Sequence, residues 1–213
     1  MSLTDPSLWT LTTAQLRDHV ASVKPTPGGG SVSIITATLG LALVHKGVSV
    51  SLKRSADDPA RHQQLVDLSA KLTPLTDTLS AFADADSSAF ESYMQARSLP
   101  RATDLEATAR DAAMQAGLLR STEVPLDSAA AMVQALSLAE EVVELADGHV
   151  LSDILSGSLL LHASVNAVLL SVDANLDGIG DAEERERMRE LRVDLECEAA
   201  LCMEAVDRKF SQP

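Results

Sequence analysis

Residues 25–44 read PTPGGGSVSIITATLGLALV, a loop rich in proline and glycine followed by a segment that is apolar or small on every side. A helix without a polar face is typical of one surrounded by protein. We therefore predict a helix that is capped by Ser31 and lies at the centre of the molecule. A second uncharged stretch, Ile154 to Val172, predicts another buried helix, with Ser152 and Asp153 at its N-terminal cap.

The rest of the chain shows helix signals separated by short turns, and no segment has the period-two alternation of a strand. Capping residues and prolines predict helices from Thr12 to about Val23, Asp58 to about Ala96, Thr103 to about Arg120, Pro125 to about Gly148 and Ala182 to Phe210. We therefore predict one all-α domain over residues 1–213, a multihelical bundle with long, partly buried helices.

The composition limits the expected partners and location. Acidic side chains number 31 against 17 Lys and Arg, and the resulting net charge of −14 repels phosphate backbones and anionic lipid head groups. We therefore expect no nucleic acid and no membrane as partners; the serines, His162 and Asn166 in the uncharged stretch 154–172 are costly in lipid. Cys197 and Cys202 diverge around their predicted helix, which disfavours a disulfide and favours a reducing cytoplasm.

The loop before the first central helix has the composition of a ligand-binding turn. Pro25 and Pro27 hold the chain extended, while the glycines at 28–30 permit positive φ and a close approach of a ligand to the backbone. The N-terminus of the following helix offers unpaired N–H groups and the positive end of the helix dipole, which suit a carbonyl or a carboxylate. The loop is also compatible with a simple tight connection, and it matches neither the P-loop nor the dinucleotide-binding pattern.

Several motifs together resemble one enzyme family. The loop Pro25 to Ser31 ahead of a small-residue helix is similar to that of the cyclodeaminase/cyclohydrolase family of folate enzymes. Further similar motifs cover nearly the whole chain: Asp86-Ser87-Ser88-Ala89-Phe90, Leu99-Pro100-Arg101, Val124-Pro125-Leu126, Ser152-Asp153 and Asn166. The resemblance implies a helical homodimer that acts on a tetrahydrofolate derivative as substrate, without a metal or a redox cofactor.

The resemblance implies one of two reactions. One closes 5-formiminotetrahydrofolate to 5,10-methenyltetrahydrofolate with loss of ammonia, and the other hydrates the methenyl cation towards 10-formyltetrahydrofolate. Both need a carboxylate near a cationic carbon and a group that moves a proton. The resemblance implies Asp86 and Asp153 as these catalytic groups. The implied substrate-binding residues are Pro27, Gly28, Gly29, Gly30, Ser31, Ser152, Asn166 and Arg97.

The same residues have structural interpretations. Asp153 can act as a second helix cap, and Asn166 can form an interhelical hydrogen bond in a crowded core. Asp86 shares a predicted helix face with Phe90, Tyr93 and Arg97. This face either flanks a flat pterin ring, with Asp86 on its amino edge, or forms a dimer seam.

The chain departs from the family pattern at two places. Where the family usually has a Thr-x-Gly-Lys-like stretch, this chain reads His45-Lys46-Gly47-Val48-Ser49, so the family's lysine contacts do not carry over to Lys46. The family also tends to have a second asparagine four residues after the first, and here that position is Leu170. The alternative function is therefore that of a non-catalytic or substrate-shifted relative that binds folate.

Residues Asp173 to Glu184 also match the EF-hand calcium loop. The matching positions are Asp173, Asn175, Asp177, Gly178, Asp181 and Glu184. Position eight of the loop, usually a branched apolar residue, is Gly180, and the sequence holds no second such loop. The segment is either a calcium-binding regulatory element or an acidic turn whose side chains cap helix ends. No Glu-x-x-His pair or Cys/His cluster indicates a transition-metal site.

Overall fold

The protein's computed structural model describes residues 7–210, and every regular element in that range is a helix. The α-helices are α1 (Thr13–Val20), α2 (Gly29–Leu52), α3 (Pro59–Arg97), α4 (Asp104–Leu145), α5 (Leu151–Leu176) and α6 (Ala182–Phe210), with short 3₁₀ turns at Leu8–Thr10 and Gly148–Val150. The prediction of an all-α multihelical bundle is confirmed. Residues 1–6 and 211–213, at the ends of the predicted domain, lie outside the described residues.

Helices α2 and α5 form the centre of the bundle and run antiparallel. Their backbones lie very close together at two glycines. A Cβ on Gly40 would be 2.7 Å from the Gly157 carbonyl oxygen, and a Cβ on Gly157 would be 2.4 Å from the Gly40 carbonyl oxygen. Farther along α2, the Ile154 side chain packs directly against Gly47. Helices α3, α4 and α6 pack around this pair, and one cluster of buried apolar side chains extends from α2 to α6.

The two central helices begin earlier than the sequence predicted. Helix α2 starts at Gly29 with Gly28 as its N-cap, so Ser31 lies in the first turn and does not cap it. Helix α5 starts at Leu151 with Val150 as its N-cap, because the 3₁₀ turn before it leads straight into the helix. Asp153 is nevertheless in the first turn of α5, as predicted.

The predicted break between two helices at Pro125 is wrong, since α4 continues through this residue. A proline inside a helix leaves the carbonyl four residues earlier without its N–H partner. Here that carbonyl belongs to Ser121, and it accepts a hydrogen bond from the Asn175 side chain at 3.0 Å. Burial of Val124 and Leu126 on either side further stabilises the continuous helix.

The sequence predicted that both central helices are buried on every side, but one face of each is exposed. An exposed apolar face crosses both of them, and on it Leu39 is 58% exposed, Leu159 50% and Leu170 64%. By length and composition α2 and the segment 148–176 could each cross a bilayer, a test that the core helices of water-soluble proteins also pass. An apolar face of this kind on a protein marks an interaction surface.

Candidate active site

A cavity of about 200 Å³ lies where the N-terminal end of α2 meets α3, α4 and the C-terminal end of α5. Its wall consists of residues 25, 26 and 28–30, together with Asp86 and Phe90 of α3, Ser121 of α4, and Ser171, Ala174 and Asn175 of α5. Pockets that enclose a drug-sized ligand have volumes of about 300–1,000 Å³. This cavity therefore fits one ring system of a larger ligand rather than the whole molecule.

The Asp86 carboxylate is held against the start of α2. Its Oδ2 accepts a hydrogen bond from the Ser31 hydroxyl at 2.7 Å, and Ser31 Oγ is also 2.9 Å from Ser87 Oγ. Glycine is required at position 30 for this contact, because a Cβ there would lie 2.4 Å from Asp86 Oδ1. The two motifs that the sequence singled out, the glycine loop and the Asp86 segment, thus form one structure.

The environment of Asp86 changes its acidity. Burial raises the pKa of its carboxyl above the ordinary aspartate value, because the charged form loses hydration. Hydrogen bonds from the Ser31 side chain and backbone N–H oppose this by lowering the pKa, but they do not cancel the effect of burial. A carboxyl with a raised pKa is suited to general acid–base catalysis near neutral pH.

The glycine loop leaves backbone donors available beside this carboxyl. Gly28 has no side chain to cap α2, and the first N–H groups of a helix have no partner within it. The Ser31 hydroxyl binds Asp86 and its N–H faces the same carboxyl, so the N–H groups of Gly29 and Gly30 remain for a ligand. Thr26 fixes the loop by donating its hydroxyl to Glu91 Oε1 at 2.7 Å. None of the described glycines has a positive φ, so these glycines serve close approach rather than an unusual backbone conformation.

The structure brings several of the predicted site residues together. Gly28, Gly29, Gly30 and Asp86 line the cavity, Ser31 binds Asp86, and Pro27 is buried within the same loop. Arg97 lies on the same helix face as Asp86 but outside the cavity wall, and its guanidinium Nη1 contacts Met94 Sδ at 3.8 Å.

Asp153 lies far from this cavity within the same chain. Its carboxylate pairs with Lys46 Nζ at 2.8 Å, near the C-terminal end of α2. Gly30, which contacts Asp86, and Lys46 are sixteen residues apart, or about 24 Å along the helix at 1.5 Å per residue. Asp86 and Asp153 are therefore at opposite ends of α2.

The other predicted residues of α5 are also outside the cavity wall. Ser152 is exposed, and its carbonyl accepts a hydrogen bond from the Ser156 hydroxyl. Asn166 donates its side-chain N–H to the His162 carbonyl at 3.1 Å and lies 3.3 Å from His162 Nε2. This asparagine thus bonds within its own helix instead of between helices. Leu170, at the position of the family's second asparagine, is on the exposed face.

Sequence reasoning missed the contribution of the C-terminal end of α5 to the cavity. Ser171, Ala174 and Asn175 line it there, and Ser121 of α4 lines it beside them. The proline four residues after Ser121 was the available signal, because a proline within a helix requires another donor for the freed carbonyl.

The acidic segment Asp173 to Glu184 does not form a calcium loop. Asp173 pairs with Arg192, Glu184 pairs with Arg187, and Asp181 caps α6 by accepting N–H groups. These contacts support the interpretation as an acidic turn. Within residues 7–210, no group of three or more His, Cys, Asp and Glu side chains is arranged to hold a metal ion.

Comparison with known proteins identifies the family. The sequence model described as formiminotransferase-cyclodeaminase matches residues 12–193. The chain is 34% identical to a methenyltetrahydrofolate cyclohydrolase of Methylorubrum extorquens over 82% of its own length and 84% of that protein. It is 35% identical to the formimidoyltransferase-cyclodeaminase of Gallus gallus over 73% of its length, but this match covers only 28% of that larger protein.

A solved structure has the same fold. The formiminotetrahydrofolate cyclodeaminase of Thermotoga maritima superimposes with a TM-score of 0.83 over 93% of this chain and 95% of that one, at 24% identity. The family expected from the motifs is therefore confirmed by sequence and by fold. The chain belongs to the formiminotransferase-cyclodeaminase family.

Proposed function

We propose that the protein is a folate-dependent enzyme of one-carbon metabolism that hydrolyses 5,10-methenyltetrahydrofolate to 10-formyltetrahydrofolate. The observation that carries the proposal is the half-buried Asp86 carboxyl, held by Ser31 in a cavity beside the open N–H groups of α2. The similarity to a methenyltetrahydrofolate cyclohydrolase over 84% of that protein supports the same reaction. The alternative of a non-catalytic or calcium-binding relative is not favoured.

The cavity fits the pterin end of such a substrate. Its volume of about 200 Å³ accommodates a bicyclic ring but leaves the aminobenzoyl-glutamate part outside. A pterin carbonyl on the N–H groups of Gly29 and Gly30 is stabilised by the helix dipole. In the pterin ring, the carbonyl carbon C4 is bonded to the ring-junction carbon C4a, and C4a is bonded to N5. When the carbonyl binds these N–H groups, the one-carbon unit on N5 therefore faces Asp86. We therefore assign Asp86 to the one-carbon unit rather than to the amino edge of the ring.

Asp86 acts first as an electrostatic partner and then as a base. Its carboxylate stabilises the positive charge shared by N5, the methenyl carbon and N10. Water adds to that carbon and loses one proton to Asp86. The bond between this carbon and N5 then breaks, while N5 takes up a proton and the hydroxyl group of the adduct loses one. The formyl group remains on N10, and the whole reaction releases one proton.

Deaminating cyclisation is the second candidate function. The matching family model and the Thermotoga maritima structure are both described as cyclodeaminases, which favours it. In this reaction N10 adds to the carbon of the protonated formimino group and gives its proton to the Asp86 carboxylate. The amino group then takes that proton from Asp86 and leaves as ammonia. A raised pKa helps Asp86 to hold that proton at neutral pH.

We further propose that the protein is a homodimer joined by the exposed face of α2 and α5. On α2 this face is a stripe centred on Leu39, and the residues seven positions away on either side are Val32 and Lys46. If a two-fold axis passes near Leu39, the stripes of the two subunits pair antiparallel. Lys46 of the partner subunit then lies beside Val32. The partner subunit's Asp153, paired with that lysine, then approaches the glycine loop and can share the active site with Asp86.

Both reactions leave the one-carbon unit at the same oxidation level, so neither requires a redox cofactor. We expect the tetrahydrofolate derivative to be the substrate and no metal to take part. The acidic surface argues against nucleic acid and membranes as partners. Cys197 and Cys202 are free thiols, which is consistent with the cytoplasm. One shared core supports a single domain over 1–213.

The function is tested by following the absorbance of 5,10-methenyltetrahydrofolate, both as its hydrolysis and as its formation from 5-formiminotetrahydrofolate. We expect catalysed hydrolysis, and a decrease in kcat of about 100-fold or more in Asp86→Asn. Asp77→Asn, which changes an exposed carboxyl on the same helix, is the control. Asp153→Asn tests the charge of that residue, because it removes the carboxylate that pairs with Lys46 while the side chain keeps its size. Rates no higher than the uncatalysed ones, with no folate binding, would show that the proposal is wrong.

A further inference from the structure

Asn175 is a polar residue in the cavity wall that the reaction described above does not use. It lies in the last turn of α5 and is half-buried beside Ser171 and Ala174. Its side-chain Nδ2 donates to the Ser121 carbonyl oxygen at 3.0 Å, across 54 residues of sequence. This hydrogen bond joins the end of α5 to the middle of α4.

The hydrogen bond fixes which end of the Asn175 carboxamide stays free. Because Pro125 has no N–H, the Ser121 carbonyl lacks its usual helical partner four residues later, and the Asn175 side chain is its donor. In an asparagine only the nitrogen can donate, so the nitrogen must face Ser121 and the oxygen must point elsewhere. Within residues 7–210 the oxygen, Oδ1, has no hydrogen-bond partner, and it is not sealed from solvent. Asn175, a residue of the cavity wall, therefore carries a free hydrogen-bond acceptor of fixed orientation.

We propose that Asn175 is a specificity-determining residue whose Oδ1 accepts a hydrogen bond from the 2-amino group of the pterin ring. This inference rests on the proposed folate function and extends it. The N–H groups of Gly29 and Gly30 donate to the ring carbonyl, and Asn175 Oδ1 accepts from the 2-amino group. Along this edge of the ring, the amino group and N5 lie on opposite sides of the carbonyl. The donors and the acceptor of the protein thus match the carbonyl acceptor and the amino donor of the ring.

Pro125 acts in this arrangement as a positioning element. A proline there frees the Ser121 carbonyl, and that carbonyl orients the Asn175 side chain before any ligand arrives. An acceptor that is already oriented costs less conformational entropy on binding than a free side chain does. The residue that interrupts the hydrogen bonds of α4 thereby contributes to the recognition site on α5.

A purely structural role for Asn175 predicts a different pattern of results. In that case the side chain only satisfies the Ser121 carbonyl, and its removal lowers stability without changing which ring is preferred. The variant Pro125→Ala separates the two roles, because it restores an N–H within α4 and gives the Ser121 carbonyl its helical partner. The stability cost of Asn175→Ala is then expected to be smaller in the Pro125→Ala background than in the wild-type chain.

The deciding experiment measures the binding of tetrahydrofolate and of its 2-desamino-2-methyl analogue by titration calorimetry. We expect the wild-type protein to prefer tetrahydrofolate by about tenfold, and Asn175→Ala to lose that preference while it still binds both ligands. The same loss is expected when Asn175→Ala is made in the Pro125→Ala background, where folding no longer depends on the asparagine.

The outcomes distinguish this inference from the proposed function. If Asn175→Ala discriminates between the two ligands as strongly as the wild-type protein, the inference is wrong although the folate function stands. The inference is equally overturned if the wild-type protein binds both ligands equally. If neither ligand binds the wild-type protein at all, the proposed function itself fails.

Discussion

Replacement of Gly30 by alanine tests whether the contact between α2 and Asp86 organises the active site. The added Cβ would lie 2.4 Å from Asp86 Oδ1, 2.7 Å from Oδ2 and 2.8 Å from Cγ. Ordinary contact begins at 3.4 Å, so the carboxyl must move by about 1.0 Å, the difference between 3.4 and 2.4 Å. A shift of that size breaks the hydrogen bond from Ser31, and a misplacement of about 1 Å costs about 100-fold in rate.

The cost in stability is expected to be smaller than the cost in rate. Overpacking destabilises by about 1–3 kcal/mol, and the better helix propensity of alanine offsets up to about 1 kcal/mol of this. The melting temperature should therefore fall by roughly 5 °C, since about 1 kcal/mol shifts it by 2–4 °C in a protein of this size.

The assay compares kcat for methenyltetrahydrofolate hydrolysis and the melting temperature in Gly30→Ala and two matched variants. A Cβ on Gly29 or on Gly148 meets nothing within 4 Å. Gly29→Ala, in the same turn of the same helix, should fold at least as stably as the wild-type protein, and Gly148→Ala, outside the site, should keep wild-type kcat. If Gly30→Ala keeps a kcat within twofold of wild type, Asp86 is not positioned by this contact.

Two further predictions concern the charge of Asp86 and the exposed face. Burial raises the pKa of Asp86, so its contribution to stability is full below the ordinary aspartate pKa and is lost as the pH rises through the native pKa. Asp86→Asn should therefore melt above the wild-type protein at pH 8, with a difference that narrows towards pH 4; a difference independent of pH would contradict this assignment. Leu39→Arg should convert a dimer into a helical but inactive monomer in analytical ultracentrifugation, whereas Leu105→Arg, at a position 81% exposed on α4, should remain dimeric. An active wild-type monomer would exclude the proposed shared site.

Local signals in the sequence predicted most of the fold. The capping boxes at Thr12 and Thr103 start α1 and α4 as expected, and α6 spans Ala182–Phe210 as predicted. Each of these signals depends on residues within one helical turn of each other. The break predicted at Pro125 failed because the hydrogen bond that allows the helix to continue comes from Asn175, 54 residues away from its acceptor.

The residues of the candidate site could be predicted where they lie in short motifs. The glycine loop and Asp86 could be selected because both resemble the family's motifs, and the structure places them in contact. Asn175 could not be selected, because its sequence context resembles a calcium loop and its role depends on how α5 packs against α4. The sequence could not show how far Asp153 lies from Asp86. That distance is set by the antiparallel packing of α2 and α5, which places Asp153 beside Lys46.

The capping of α2 explains why the glycines and Asp86 occur together. A helix normally receives its N-cap from the residue before it, but Gly28 has no side chain and the first turn of α2 contains no acidic residue. Asp86 supplies an acceptor from α3, which binds the Ser31 hydroxyl at 2.7 Å and faces the Ser31 N–H. A local cap would occupy the first N–H groups of the helix, whereas this carboxylate from another helix leaves those of Gly29 and Gly30 open. The same aspartate thus completes the end of α2 and lies beside two free donors, so that folding of the bundle places a carboxylate of raised pKa next to open backbone N–H groups.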